Sequence, residues 1–185
     1  MHWDEDISKK KVQSLREKLD RMNPHITIET KDAKLDEDNV DGILNGIDLI
    51  IDATDNMIVR RTINNACVKY NIPFIHAGMH GFYGQVMIVV PGVTPCLSCV
   101  FDETNQEPKG WPVLISLVSI LASTQALEAI KMLGEIGEPT LGYLIHVDGL
   151  LMSVEKIKVK RNPTCNTCKN VKLPEKYESK TIKGA

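Results

Sequence analysis

A chain of 185 residues, 43% hydrophobic and 25% charged, has the apolar content of one ordinary packed domain, which excludes wholesale disorder. Its formal net charge of -2 excludes a general electrostatic pull toward nucleic acid. The longest apolar candidate, Val113 to Ala122, holds two serines and falls short of membrane-spanning length, so it reads as part of a buried helix.

The N-terminus, Met1-His2-Trp3-Asp4-Glu5-Asp6, is acidic and carries no signal-peptide pattern, so a cytoplasmic address is expected, with no membrane partner. From Ser8 to Met22 the spacing of Val12, Leu15, Leu19 and Met22 predicts a helix with one apolar face, stopped by Asn23-Pro24. The alternation in Ile26-Thr27-Ile28-Glu29-Thr30 predicts a strand. A short helix is expected over Asp38 to Leu44, ended by Asn45-Gly46. The compact run Asp48-Leu49-Ile50-Ile51-Asp52-Ala53 reads as a strand buried on both faces of a parallel sheet. A helix from Ile58 to Tyr70 and a strand from Pro73 to Ala77 complete an αβαβαβ alternation, half of a doubly wound fold.

The pattern then changes. A Gly-rich turn, Gly78 to Gly84, leads to a strand over Gln85 to Val90, then to a cysteine pair and a loop from Phe101 to Trp111. A long helix is expected from Val113 to Leu133, apolar early and amphipathic later. Strands over Leu144 to Val147 and Met152 to Val159 flank Asp148-Gly149, a hairpin-turn dipeptide. The domain is expected to close near residue 170, leaving 171–185 as a polar, Lys-rich tail. The chain opens on a helix and contains no Gly-x-Gly-x-x-Gly and no P-loop, so the fold reads as a Rossmann-like sheet without its first βαβ unit.

Two Cys-x-x-Cys pairs, Cys96/Cys99 and Cys165/Cys168, sit in Pro/Thr turns. Four thiolates offered as two knuckles are what a tetrahedral structural Zn2+ requires. The rival is a pair of redox motifs of the thioredoxin type, but neither pair precedes an obvious helix. Cys67, among Ala66 and Val68, reads as a core residue. Asp52-Ala53-Thr54-Asp55-Asn56 puts two carboxylates at the carboxyl end of a strand, where open α/β sheets bind ligands. Asp55 suits Mg2+, or Asp55 or Asn56 simply caps the next helix; Arg60 either pairs with one of the aspartates or is an ordinary solvated arginine. Lys9-Lys10-Lys11 alone reads as a solvated basic helix start, and His76 and His80 as turn and packing residues.

These residues, in order, carry a resemblance. Lys11-Val12, Asn23-Pro24, Asp52-x-Thr54-Asp55-Asn56-x-x-x-Arg60, Gly84-Gln85, Pro95-Cys96-x-x-Cys99, Gln125-Ala126-x-Glu128-Ala129-Ile130-Lys131 and Asn162-Pro163-x-Cys165-x-x-Cys168 together resemble the MoeB/ThiF/HesA family, relatives of ubiquitin-activating enzymes, over residues 4 to about 170. The resemblance implies ATP- and Mg2+-dependent adenylation of the C-terminal glycine of a ubiquitin-like sulfur carrier of the MoaD/ThiS type, serving cofactor biosynthesis. By motif, Lys11 resembles the lysine that holds the phosphates, Asp55 the aspartate that positions Mg2+ with Asn56 beside it, and the four cysteines the family's zinc ligands. Arg60 completes the implied catalytic set. Phe101 to Trp111 matches the crossover loop under which the carrier's tail threads. A homodimer is implied, with Val113 to Leu121 and Gly78 to Val90 as expected contacts.

Two departures accompany the resemblance. Met1 falls where a full-length member is already well into the fold, so a fragment, a misplaced start or one piece of a split enzyme is expected, with an exposed sheet edge. The stretch Asp102 to Ile115 has no cysteine, which argues against a covalent thioester or persulfide step but not against adenylation. The alternative function is a non-catalytic zinc-stabilised module that binds a carrier or partner subunit; a dinucleotide oxidoreductase rests on fold analogy alone.

Overall fold

The computed structural model describes residues 2–101 and 112–174. Most of the expected crossover loop and tail, 102–111 and 175–185, lie outside the described residues. The chain divides into two compact units between Leu35 and Asp36.

In the first unit a 3-10 turn, Asp4–Asp6, precedes helix α1, Lys11–Met22. The helix starts three residues later than its apolar pattern predicts because Ser8 takes a left-handed backbone, with φ of 74°. The Asp6 carboxylate ties the turn to α1: it accepts the Trp3 N–H at 2.7 Å and pairs with Lys18, whose ammonium lies 4.5 Å above the Trp3 ring. Lys18 and the Trp3 N–H hold the Asp6 carboxyl well below the usual carboxylate range. The predicted strand over Ile26 to Thr30 is not formed; Ile26 is exposed. Alternation supplies strand propensity, but a ladder also needs a neighbour, and none pairs with this segment among the described residues.

The second unit holds a five-stranded mixed sheet in the order β1-β2-β3-β4-β5. Helix α2, Val40–Leu44, is led in by the Asp36 carboxylate, which accepts the Asp38 and Asn39 N–H groups. Strand β1, Ile50–Ile51, pairs in parallel with β2, Phe74–His80, through the crossover helix α3, Met57–Tyr70. Strand β3, Tyr83–Val89, then β4, Tyr143–Asp148, and β5, Ser153–Lys158, add antiparallel. The expected doubly wound half is therefore a single parallel crossover followed by a meander. β1 is an edge strand with Ile51 48% exposed, not a strand buried on both faces, because no described segment covers its outer side.

The predicted Gly-rich turn is confined to Gly81-Phe82, and its flanks are strand. Gly78 pairs with Gln85 and Gly84 with Met79, and a Cβ on Gly84 would stand 2.8 Å from Leu121 Cδ2. That glycine therefore makes room for a helix rather than for a bend.

Helix α5, Ile115–Gly134, lays one stripe, Leu117, Leu121, Gln125, Glu128 and Ala129, onto β2 and β3. Leu117, Leu121 and Ala129 pack with Ile75, Val86, Ile88, Ile145 and Val147 as the core. By length and composition alone this helix is apolar enough to cross a membrane, unlike the ten-residue run its sequence pattern showed. Its buried stripe nevertheless contains a glutamine and a glutamate anchored to the domain. Val113, Ile115, Leu127, Ile130 and Leu133 stay exposed. Of the two expected dimer contacts, Val113 to Leu121 keeps exposed apolar side chains, and Gly78 to Val90 exposes Phe82 and Tyr83 while its Val86 to Val90 part lies inside the core.

Candidate functional site

β1 ends directly before Asp52, whose backbone N–H donates to Ile75 O at 3.0 Å. Continuing the register Ile50↔Phe74 and Ile51↔Ile75 sets Asp52 opposite His76. The Asp52 carboxylate is fully buried, and such a charge persists only when several partners share it. Oδ2 meets His76 Nδ1 at 2.8 Å and Arg60 Nε at 3.4 Å, while Oδ1 accepts the Thr54 N–H at 2.9 Å and the Thr54 hydroxyl at 2.7 Å. Burial acts to raise the Asp52 carboxyl, but the His76 and Thr54 hydrogen bonds outweigh it and hold it below its ordinary value. Burial, reinforced by the Arg60 guanidinium, pushes His76 down, so its ring is neutral and donates from Nδ1 to an ionised Asp52.

Two further side chains lock this end of the sheet. Arg60 Nη2 donates to the Thr54 carbonyl and, at 3.1 Å, to Ala77 O. From the other direction, Gln125 Nε2 donates to Asp52 O and Ile75 O, both at 2.9 Å. Of the two aspartates, Arg60 pairs with Asp52 and not with Asp55. Asp55 stands exposed in the loop ahead of α3. Asn56 caps that helix, its Oδ1 accepting the Ile58 N–H at 2.8 Å and the Val59 N–H at 3.2 Å. Lys11 is the exposed first residue of α1, in the first unit.

The four cysteine sulfurs lie within 4.8 Å of one another. Cys96 and Cys165 approach to 3.6 Å, Cys99 and Cys168 to 3.4 Å, and Cys96 and Cys99 to 3.8 Å. A tetrahedron with metal–sulfur bonds of about 2.3 Å has edges of roughly 3.8 Å, so the quartet fits Zn2+ closely. None of the separations is a disulfide bond. One helical turn, α4, Leu97–Val100, follows Cys96, which the sequence pattern did not indicate. Burial pushes the Cys96 and Cys99 thiols up. Burial acts on Cys165 in the same sense, but the Cys168 and Thr167 N–H groups outweigh it and hold that thiol at about 7. Behind the sulfurs, Arg161 donates to Gly92 O at 2.9 Å and Cys168 O at 2.7 Å, and buried Asn64 accepts the Leu97 N–H at 2.9 Å. Cys67 is a core residue with no exposure, as expected.

Sequence reasoning missed the part played by His76 and Gln125. One signal was present: a charged residue at the end of an apolar strand needs a partner, and His76 is the polar residue in the strand that follows.

Residues 1–167 match the ThiF family. The chain is 35% identical over 168 residues to "Protein HesA, heterocyst" of Trichormus variabilis, covering 90% of this chain and 63% of that protein. It is 34% identical over 172 residues to the molybdopterin-synthase adenylyltransferase of Salmonella typhimurium, covering 91% and 69%. It is 33% identical to the SAMP-activating enzyme E1 of Haloferax volcanii, covering 91% and 64%. The crystal structure of E. coli MccB with ATP superposes with a TM-score of 0.79 at 20% identity, covering 91% of this chain and 54% of that one, a likeness of fold. The chain thus spans about two thirds of the length of these curated relatives and about half of MccB.

Proposed function

Because the chain belongs to the ThiF family, we propose that it takes part in ATP-dependent adenylation of the C-terminal glycine of a ubiquitin-like sulfur carrier of the MoaD/ThiS type. A carboxylate oxygen of the carrier's tail attacks the α-phosphorus of ATP. The bond from that phosphorus to the bridging oxygen breaks, and pyrophosphate leaves with the electron pair. Lys11 offsets negative charge at the phosphates. Asp55, a hard oxygen donor, holds Mg2+ with Asn56 beside it, and the ion supplies charge neutralisation at the phosphates. Arg60 shapes the loop that presents Asp55. The cysteine quartet binds Zn2+ for structure, not for chemistry. The working unit is a cytoplasmic homodimer, joined through the exposed apolar side of α5.

One observation carries the reading: Asp55 is exposed, while Asp52, Thr54 and Asn56 around it are all held by hydrogen bonds. The test is carrier-dependent ATP–pyrophosphate exchange. Asp55→Ala is expected to lower exchange at least about 100-fold with unchanged zinc content. Retained exchange removes Asp55 from the mechanism. Carrier binding without exchange in the unsubstituted protein assigns the chain to docking instead.

A further inference from the structure

His76 is 2% exposed, and its Nδ1 is committed to Asp52. That bond fixes the tautomer and leaves Nε2 as a bare acceptor, for which no described group donates a hydrogen bond. The nitrogen faces Gly78. A Cβ built on Gly78 would stand 3.4 Å from His76 Nε2, 3.4 Å from Gln85 Nε2 and 3.5 Å from Arg60 Nη1. Arg60 spends Nη2 on two carbonyls, whereas among the described residues Nη1 has only the weak acceptor Met57 Sδ at 3.7 Å. Two strands and a helix therefore bring one acceptor and two donors around a backbone position that carries no side chain.

Few ligand chemistries complement that set. A carboxylate or a phosphate suits Arg60 and Gln85 but turns a lone pair toward the bare His76 nitrogen. A cation is repelled by Arg60. A peptide group matches all three, because its N–H donates to Nε2 and neighbouring carbonyls accept from Arg60 and Gln85. Gly78 is itself buried, and the three nitrogens converge on it at van der Waals distance.

We propose that His76, with Arg60 and Gln85, reads the main chain of a glycine-terminated tail by accepting its peptide N–H. This rests on the carrier-adenylation reading above and names the contact by which that site recognises its substrate. Arg60 also bonds the Thr54 carbonyl, so the reader and the Asp55 loop share one guanidinium.

The test uses the whole protein with two synthetic peptides, one ending in Gly-Gly and one in which the last glycine is N-methylglycine. Calorimetry is expected to show binding weakened about tenfold by the methyl group, the effect of one hydrogen bond to a buried acceptor. In His76→Phe the discrimination is expected to fall below about twofold. Phe keeps the ring's bulk, so a purely steric methyl penalty survives in that variant and overturns the proposal. Gln85→Leu is expected to weaken both peptides and keep their ratio. Nitrogen-15 spectra of the unsubstituted protein need no variant: the His76 Nε2 signal is expected to move with the Gly-Gly peptide and not with its methylated counterpart. Equal binding of both peptides, or an unmoved Nε2, refutes the assignment while leaving carrier-dependent exchange standing. Failure to bind any glycine-terminated peptide, together with absent exchange, removes the carrier reading and this inference with it.

Discussion

Removing the Zn2+ proposed for the cysteine quartet tests how much of the fold depends on a clip between distant segments. Cys96 meets Cys165 and Cys99 meets Cys168, each across 69 residues of chain. Treated as a cross-link, closure of a loop that long removes unfolded-state entropy equivalent to roughly 4 kcal/mol at 25 °C. For a domain of this size each kcal/mol moves the midpoint by about 2–4 °C, so removal should lower it by roughly 8–16 °C. The support groups fall with the clip, since Arg161 bonds Gly92 O and Cys168 O only while the second knuckle is docked. The assay is scanning calorimetry of the protein before and after chelation, with zinc counted by mass spectrometry and thiols titrated to exclude oxidation. The double substitution Cys165→Ser and Cys168→Ser should reproduce the chelated melt. A metal-free, fully reduced protein that melts with the loaded one would refute the reasoning.

Acid should destabilise the domain in two stages. Asp52 and His76 both have folded values below their ordinary 3.8 and 6.5, so each contributes stability that is complete above its unfolded value and lost as pH falls through its folded one. Urea midpoints are expected to decline on acidification below about pH 6.5, and His76→Phe should remove the decline between pH 6.5 and 5. Gln125→Leu takes the side-chain donor from the Asp52 carbonyl and leaves Ile75 O with the Asp52 N–H, and should cost about 1–3 kcal/mol in urea titration. Gly92→Ala should cost at least as much. Its φ is +81° and a Cβ would lie 2.1 Å from Lys172 O, a backbone atom that cannot rotate away. A Gly92→Ala protein as stable as its parent would mean that the segment from Lys172 to Pro174 is not held against Gly92.

The cysteine quartet was legible from spacing because two knuckles in rigid Pro/Thr turns have few other uses. Helices α3 and α5 were legible from periodicity to within two residues of their observed ends. Other features were hidden because they depend on pairing rather than on local pattern. Ile26 to Thr30 has the composition of a strand and no pairing neighbour among the described residues. Gly78 and Gly84 look like a turn until the hairpin register assigns them to facing rungs beside Gln85 and Met79. The Asp52–His76 contact follows only when β1 and β2 are known to be adjacent, parallel and in the register Ile50↔Phe74. Gln125 belongs to the hydrophobic stripe of its helix by position, and nothing local says that its amide ends on two strand carbonyls.

Asp55 occupies a tether one residue long. Behind it the Thr54 carbonyl is gripped by Arg60, and ahead of it Asn56 is spent on capping α3. Fixing a residue's backbone costs roughly 1–2 kcal/mol of conformational entropy. Here most of that loss occurs during folding, ahead of any binding at the site proposed above. An Arg60 substitution would leave the Asp55 charge intact and restore its freedom. On the metal-holding role proposed for Asp55, its signature would be a weaker grip on Mg2+ with the carboxylate still present, a loss of readiness rather than of chemistry.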